Sequence, residues 1–139
     1  MSGCNERLNE LLFDGKVSPK QLSQDMGVSL STVYRWKNDT NFRLSKLIAL
    51  ADYFRCSVDY ILCLTEDCSD YAPKQCPQFY KRLRVVMREK GVSTYNLRKN
   101  TKFGGFLYEW ERGADPLAST LIELANILDC SVDYLIGRE

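Results

Sequence analysis

The sequence predicts an all-α fold made of two tandem five-helix modules, and three observations lead to this prediction. Residues 47–62 (LIALADYFRCSVDYIL) closely match residues 121–136 (LIELANILDCSVDYLI) at an offset of 74 positions, which indicates an internal repeat. No segment shows the sustained alternation of polar and apolar residues that is typical of a β-strand. Apolar residues near the start of each copy recur at the spacing of one helix face, as Leu8, Leu11 and Leu12 and again as Leu83, Val86 and Met87.

The repeat sets the expected domain boundaries. The offset of 74 pairs Trp36 with Trp110, and further upstream the offset becomes 75, so the second copy has lost one residue before its tryptophan. We therefore expect a first domain at residues 1–66, a polar linker with two prolines at 67–78, and a second domain at 79–139. Domains of about 60 residues lie near the lower limit of independent stability.

Local start and stop signals place the second and third helices of the first copy. Ser18 followed by Pro19 and Gln21 provides an N-cap, a proline at the first helical position and a capping-box residue at the third. Gly27 suits the left-handed conformation that ends a helix, and Ser29 can cap the next one. The sequence therefore predicts two helices joined by a tight turn.

Two further helices complete the first copy. An apolar stretch predicts a fourth helix over about residues 45–54. Ser57 can cap a short fifth helix, because the three-residue spacing lets its side chain reach an amide of the first turn. The apolar residues of that helix are Val58, Tyr60 and Ile61.

Composition is that of a folded protein without a strong charge. Hydrophobic residues make up 45% and charged residues 27% of the chain, and the formal net charge is +1. Nucleic-acid binding would therefore have to come from a local patch of charge. No run of 18 apolar residues and no apolar secretory start is present, so we expect a cytoplasmic protein without a membrane segment.

The titratable side chains nominate neither a metal site nor an active site. Cys63, Cys68 and Cys76 share a central stretch, but their spacing matches no common zinc pattern and the chain has no histidine to complete a mixed site. In a reducing compartment ordinary thiols are the default. No glycine-rich phosphate loop or recognisable carboxylate pair is present. We expect no enzyme activity, no cofactor and no small-molecule ligand.

Residues 22–39 (LSQDMGVSLSTVYRWKND), followed by residues 44–62 (LSKLIALADYFRCSVDYIL), resemble the lambda-repressor-like helix-turn-helix family, also called Cro/C1 or XRE. The resemblance covers nearly all of both copies and is most specific in the first. It implies a sequence-specific double-stranded DNA-binding protein, a transcriptional regulator of a prokaryote, phage or mobile element.

The resemblance also implies which residues contact DNA. In this family the second helix of the motif lies in the major groove, where its early residues meet base edges. By position, Leu30, Ser31 and Arg35 would read bases, with Arg35 suited to guanine and Leu30 to a thymine methyl group. The residues suited to phosphate contacts are Lys20, Ser29, Thr32, Tyr34, Lys37, Asn38 and Arg43. The alternative is that Ser31 and Thr32 merely favour the helix start and that Arg35 is a solvated surface residue.

The second copy departs from this pattern. Gly104, Gly105 and Glu109 stand at the three base-reading positions, where they offer poor chemistry for DNA. One interpretation is that this copy kept its core and lost the residues that read bases. Another is that Phe103 and Phe106, with Tyr95 nearby, form an apolar surface for the other copy or for a second chain. Its first helix is basic and either tracks a phosphate backbone or is a solvated face, with cations at Lys81, Arg82, Arg84, Arg88 and Lys90.

The expected partner is double-stranded DNA, bound by a homodimer or by paired copies within one chain, because family members usually place two modules on one site. The alternative is a protein-interaction module, antitoxin-like or anti-repressor, that has kept the fold. Near-neutral charge and the two glycines of the second copy favour that alternative.

Overall fold

The computed structural model describes residues 5–36, 38–39 and 41–139, and its regular structure is helical. Within these ranges no β-strand is formed, which confirms the all-α prediction. No helix in the described ranges combines the length and the apolar character needed to cross a membrane. The chain divides into two compact units, Met1–Pro73 and Lys74–Glu139.

The first unit packs its helices around an apolar core to which each helix contributes. Buried side chains recur three or four positions apart along the longer helices, so each buries one stripe. The buried residues include Leu8, Leu12, Leu22, Val33, Trp36, Leu47, Leu50 and Val58. The helices described in this unit are α1 (Asn5–Asp14), α2 (Pro19–Met26), α3 (Leu30–Trp36), α4 (Leu44–Phe54) and α5 (Val58–Ile61).

Side-chain caps define the α2–turn–α3 segment as the sequence predicts. The Ser18 hydroxyl accepts a hydrogen bond from the Gln21 amide at 3.0 Å, which satisfies one of the amides left without a partner at the start of α2. Gly27 ends α2 with a φ of 70°, and the Ser29 hydroxyl accepts from the Thr32 amide at 3.2 Å. The tight turn between two helices is therefore confirmed.

The second unit has a similar order of elements with one difference at its centre. Its helices are α6 (Phe79–Glu89), α7 (Thr94–Asn100), a 3₁₀ helix (Lys102–Phe106), α8 (Leu107–Glu111), α9 (Ala118–Ile127) and α10 (Val132–Ile136). A 3₁₀ helix followed by the short α8 occupies the positions that the sequence offset of 74 aligns with α3. Its buried residues include Leu83, Val86, Leu97, Leu107, Trp110, Leu121, Leu124 and Val132.

Both units use the same contact between the first and last helices. The guanidinium carbon of Arg7 lies 3.8 Å from the centre of the Tyr60 ring. The corresponding distance from Arg82 to Tyr134 is 4.7 Å. Arg82 also donates to the backbone carbonyl of Tyr134 at 2.8 Å. Arg82 therefore serves the packing of its own unit, and it does not belong to the predicted basic face of α6.

Candidate nucleic-acid interface

The orientation of α3 is determined by two buried side chains. Val33 is fully buried and Trp36 is 6% exposed, and they lie three positions apart on one side of the helix. The Trp36 ring packs edge-on against Phe42, with ring centres 5.7 Å apart. Because this side is held in the core, the residues on the opposite side of α3 must face solvent.

The outer side of α3 is polar with one cation and two exposed apolar side chains. Ser31 and Arg35 are exposed and lie four positions apart, so they share this side of the helix. Leu30 is 39% and Tyr34 is 50% exposed. The exposure agrees with the orientation expected from the sequence, and the DNA contacts themselves stay a prediction.

Three hydroxyl groups cluster at the start of α3. Ser29 Oγ lies 3.0 Å from Ser31 Oγ and 2.8 Å from Thr32 Oγ1. Ser29 also accepts from the Thr32 amide, so this hydroxyl holds the first turn together. Ser29 and Ser31 are exposed and Thr32 is half-buried, so the two serine hydroxyls are accessible to a phosphate.

Three of the other predicted phosphate contacts are exposed at the protein surface. Lys20 is exposed in the first turn of α2. Asn38 is exposed just after α3, where its backbone N–H donates to the Arg35 carbonyl at 3.0 Å. Arg43 is exposed immediately before α4. Lys37 lies outside the described residues.

A hydrogen bond between α4 and α2 braces the motif and was not predicted from the sequence. The Tyr53 hydroxyl donates to Asp25 Oδ2 at 2.6 Å, across 28 positions of the chain. Burial, together with the hydrogen bond to Asp25 and its negative charge, raises the pKa of Tyr53 to about 12. Neither residue has a spacing signal that could have paired them, because the contact depends on how α4 packs.

Replacing Tyr53 with phenylalanine should lower the free energy of unfolding by about 1 kcal/mol at pH 7, because one hydrogen bond is removed. The folded pKa is raised, so this contribution is present below the ordinary tyrosine pKa and is lost as pH rises through about 12. The measurement is urea unfolding of Tyr53→Phe, Asp25→Asn and the double variant. If the double variant lost as much stability as the two single variants together, the hydrogen bond would be contradicted, since partners in direct contact give a coupling energy.

The corresponding part of the second unit has a different geometry for a steric reason. A Cβ atom on Gly104 would lie 2.7 Å from the Arg98 Cα atom of α7, closer than packed atoms allow. Glycine therefore permits the 3₁₀ helix to approach α7 closely at this position. Gly105 has open space where a Cβ would stand, and Glu109 is exposed.

The prediction that three aromatic residues form an apolar surface on the second unit is wrong for one of them. Phe103 is only 2% exposed and packs beside Trp110, with ring centres 6.3 Å apart. Phe106 stacks on Trp110 at 5.8 Å but remains 49% exposed, and Tyr95 is 64% exposed. Phe103 lies in the 3₁₀ helix, which directs its side chain into the core.

Metal-ligating side chains do not converge in the described part of the chain. No group of three histidine, cysteine, aspartate or glutamate residues there is placed to hold a metal ion. The central cysteines differ in exposure, since Cys68 is exposed whereas Cys63 and Cys76 are half-buried.

Comparison with known proteins finds a family match that lies within the first unit. Residues 7–67 match the family model of the Cro/C1-type HTH DNA-binding domain. The matched range contains the whole α2–turn–α3 segment, and it supports the helix-turn-helix family inferred from the first copy. Residues 68–139 lie outside the matched range. No curated protein and no solved structure matches the chain.

Proposed function

We propose that this protein binds a specific sequence of double-stranded DNA and acts as a transcriptional regulator of the prokaryotic or phage type. The observation that carries the proposal is the arrangement of α3, in which Val33 and Trp36 are buried while Ser31 and Arg35 are exposed. This arrangement occurs inside the range that matches the Cro/C1-type DNA-binding domain. A helix held in this way can lie in the major groove with its outer side against the bases.

The side chains of α3 supply two kinds of base contact. The Arg35 guanidinium can donate two parallel hydrogen bonds to guanine O6 and N7, the commonest specific contact in the major groove. Leu30, which is 39% exposed, can touch a thymine methyl group. Ser31 lies on the same side of the helix as Arg35, four positions before it, and can donate to or accept from a base.

Contacts to phosphate would then orient α3 in the groove without reading sequence. Residues in and next to the α2–turn–α3 segment are chemically suited to this task, because they offer hydroxyl, amide and cationic donors. We assign it to Lys20, Ser29, Thr32, Tyr34, Lys37, Asn38 and Arg43.

We also propose that the second unit is a divergent copy of the same domain that does not read bases. Support comes from the sequence repeat and from paired positions with matching burial, such as Leu22 with Leu97 and Trp36 with Trp110. At the position of Arg35 the second unit presents Glu109, whose charge is the same sign as that of phosphate. Base readout therefore falls to the first unit.

Selection of bound sequences from a random duplex pool tests the proposed function. The full chain should enrich one short motif, and binding to that motif should weaken steeply as salt concentration rises. A motif with two-fold symmetry would indicate a homodimer, whereas an unsymmetrical motif would indicate one reading unit for each site. Absence of any enriched motif at low salt would overturn the proposal in favour of a protein-interaction module.

A further inference from the structure

We infer that the second unit binds the phosphate backbone of duplex DNA through one exposed face of α6, here called the cationic stripe. The cationic stripe consists of Lys81, Arg84 and Arg88, all three of them exposed. Their spacing of three and four positions places them on one side of the helix. The inference rests on the proposed function only in that it names the same partner, duplex DNA.

The contacts of these three cations differ from those of the other cations on α6 and just after it. Arg82 donates to the carbonyl of Tyr134, and Lys90 donates to the carbonyl of Asp129 at 3.2 Å. Within the described part of the chain, no acidic side chain forms an ion pair with a residue of the cationic stripe. The cationic stripe is therefore available to an anion, whereas Arg82 and Lys90 serve the unit itself.

The aligned face of α1 carries two carboxylates, Glu6 and Glu10, and no cation. Residues of α1 and α6 are related by an offset of 75, which aligns the cationic stripe and Val85 with four exposed residues of the first unit. Either sign of charge is enough to solvate a helix face, so solvation alone does not require the three cations of α6. In the first unit these residues are Glu6, Asn9, Glu10 and Phe13.

The same asymmetry extends to the whole units. Residues 1–73 contain 8 basic and 10 acidic residues, for a formal charge of −2, whereas residues 74–139 contain 11 basic and 8 acidic residues, for a charge of +3. The unit that resembles a base reader is thus the less suited of the two to attract a polyanion. The second unit can supply that attraction, because phosphate neutralisation provides most of the sequence-independent binding of proteins to DNA.

Open depressions at both ends of the cationic stripe add donors that point to the same ligand. The depression at the start of α6 has a volume of about 470 Å³ and brings Lys81 next to Arg112, with Glu111 as its one acidic residue. The depression near the end of α6 has a volume of about 240 Å³, and there Arg84 and Arg88 meet Ser93 and Thr94. Cations and hydroxyls are the side chains that proteins use against phosphate and sugar.

The length of the cationic stripe suits duplex DNA. Lys81 and Arg88 are seven residues apart, which at 1.5 Å per residue places them about 10 Å apart along the helix axis. Duplex DNA presents one phosphate charge about every 1.7 Å of its axis, so several phosphates lie within that reach. Arg84 Nη1 donates to the Tyr80 hydroxyl at 3.1 Å, which orients the guanidinium and leaves its other donors for a phosphate.

The test compares two triple variants of the full chain that lose the same charge. Lys81→Gln/Arg84→Gln/Arg88→Gln removes the cationic stripe, and Lys74→Gln/Lys99→Gln/Lys102→Gln removes three exposed cations elsewhere in the second unit. Fluorescence anisotropy on a scrambled duplex gives the affinity between 50 and 200 mM salt. Because the first variant can no longer neutralise three phosphates, its slope of log K against log salt should fall by about 2.7, so its affinity drops about 40-fold less than that of wild type over this range.

Equal slopes for wild type and the first variant, or the same drop in both triple variants, would overturn the inference. Circular dichroism and thermal unfolding exclude loss of folding, and glutamine keeps a good helix propensity. Tighter binding of a single-stranded oligonucleotide than of the duplex would also overturn it. The proposed function is tested separately, by whether the wild-type chain prefers a motif. The cationic stripe is tested on the scrambled duplex alone, so either proposal can fail without the other.

Discussion

Replacing Arg35 with alanine is expected to weaken binding to the selected motif by roughly 5- to 150-fold, which corresponds to about 1–3 kcal/mol for one bidentate base contact. Binding to a scrambled duplex should change far less, because only one positive charge is removed. The side chain is exposed, so folding stability should stay within about 0.5 kcal/mol of wild type. Anisotropy titrations on both duplexes measure the two affinities.

Two matched variants separate base readout from charge. Arg35→Lys keeps the cation but loses the planar pair of donors, so it should resemble Arg35→Ala on the motif and wild type on the scrambled duplex. Glu109→Ala changes the paired position in the second unit and should leave the motif preference intact. If Arg35→Ala weakened both duplexes equally, Arg35 would be a phosphate contact and base reading would lie elsewhere on α3.

Replacing Leu47 with alanine is expected to lower the free energy of unfolding of the first unit by about 2–5 kcal/mol. Leu47 is fully buried in α4, so the substitution removes apolar packing and leaves a cavity. A small domain rarely has more than about 3–5 kcal/mol of stability from its core, so most of it would be lost. Binding to the selected motif should fall in parallel, because α3 depends on this core.

Leu121→Ala is the matched control, since Leu121 is the paired residue and is also fully buried. Each unit has one of the two tryptophans. In a Trp110→Phe background the fluorescence of Trp36 follows unfolding of the first unit. In a Trp36→Phe background the fluorescence of Trp110 follows unfolding of the second unit. Leu121→Ala should shift only the Trp110 transition and retain the motif preference. Loss of that preference in Leu121→Ala would show that base reading requires both units to be folded.

Local chemistry explains why much of the first unit could be predicted. A cap joins a side chain to an amide three residues away, so the residues that start α2, α3 and α5 can be recognised in the sequence alone. Val33 and Trp36 are buried three positions apart, which is the spacing of residues on one helix face. These features depend on neighbours in the chain, and the structure has them where the sequence predicts them.

Side chains that meet partners far along the chain could not be assigned in advance. The bond from Tyr53 to Asp25 spans 28 positions, and Arg82 reaches the Tyr134 carbonyl across 52 positions. Arg82 looked equivalent to Arg84 and Arg88 in a basic helix. Only packing against α10 distinguishes a structural cation from the exposed ones.

Local patterns were enough to predict the helical fold and the helix-turn-helix of the first unit, because caps, turns and apolar periodicity involve residues close in the chain. Packing between helices determines which cations of α6 stay exposed, and it turns Phe103 inward. It also explains Gly104, since the 3₁₀ helix passes close to Arg98. Each of these depends on the distance between elements, which no spacing along the chain encodes.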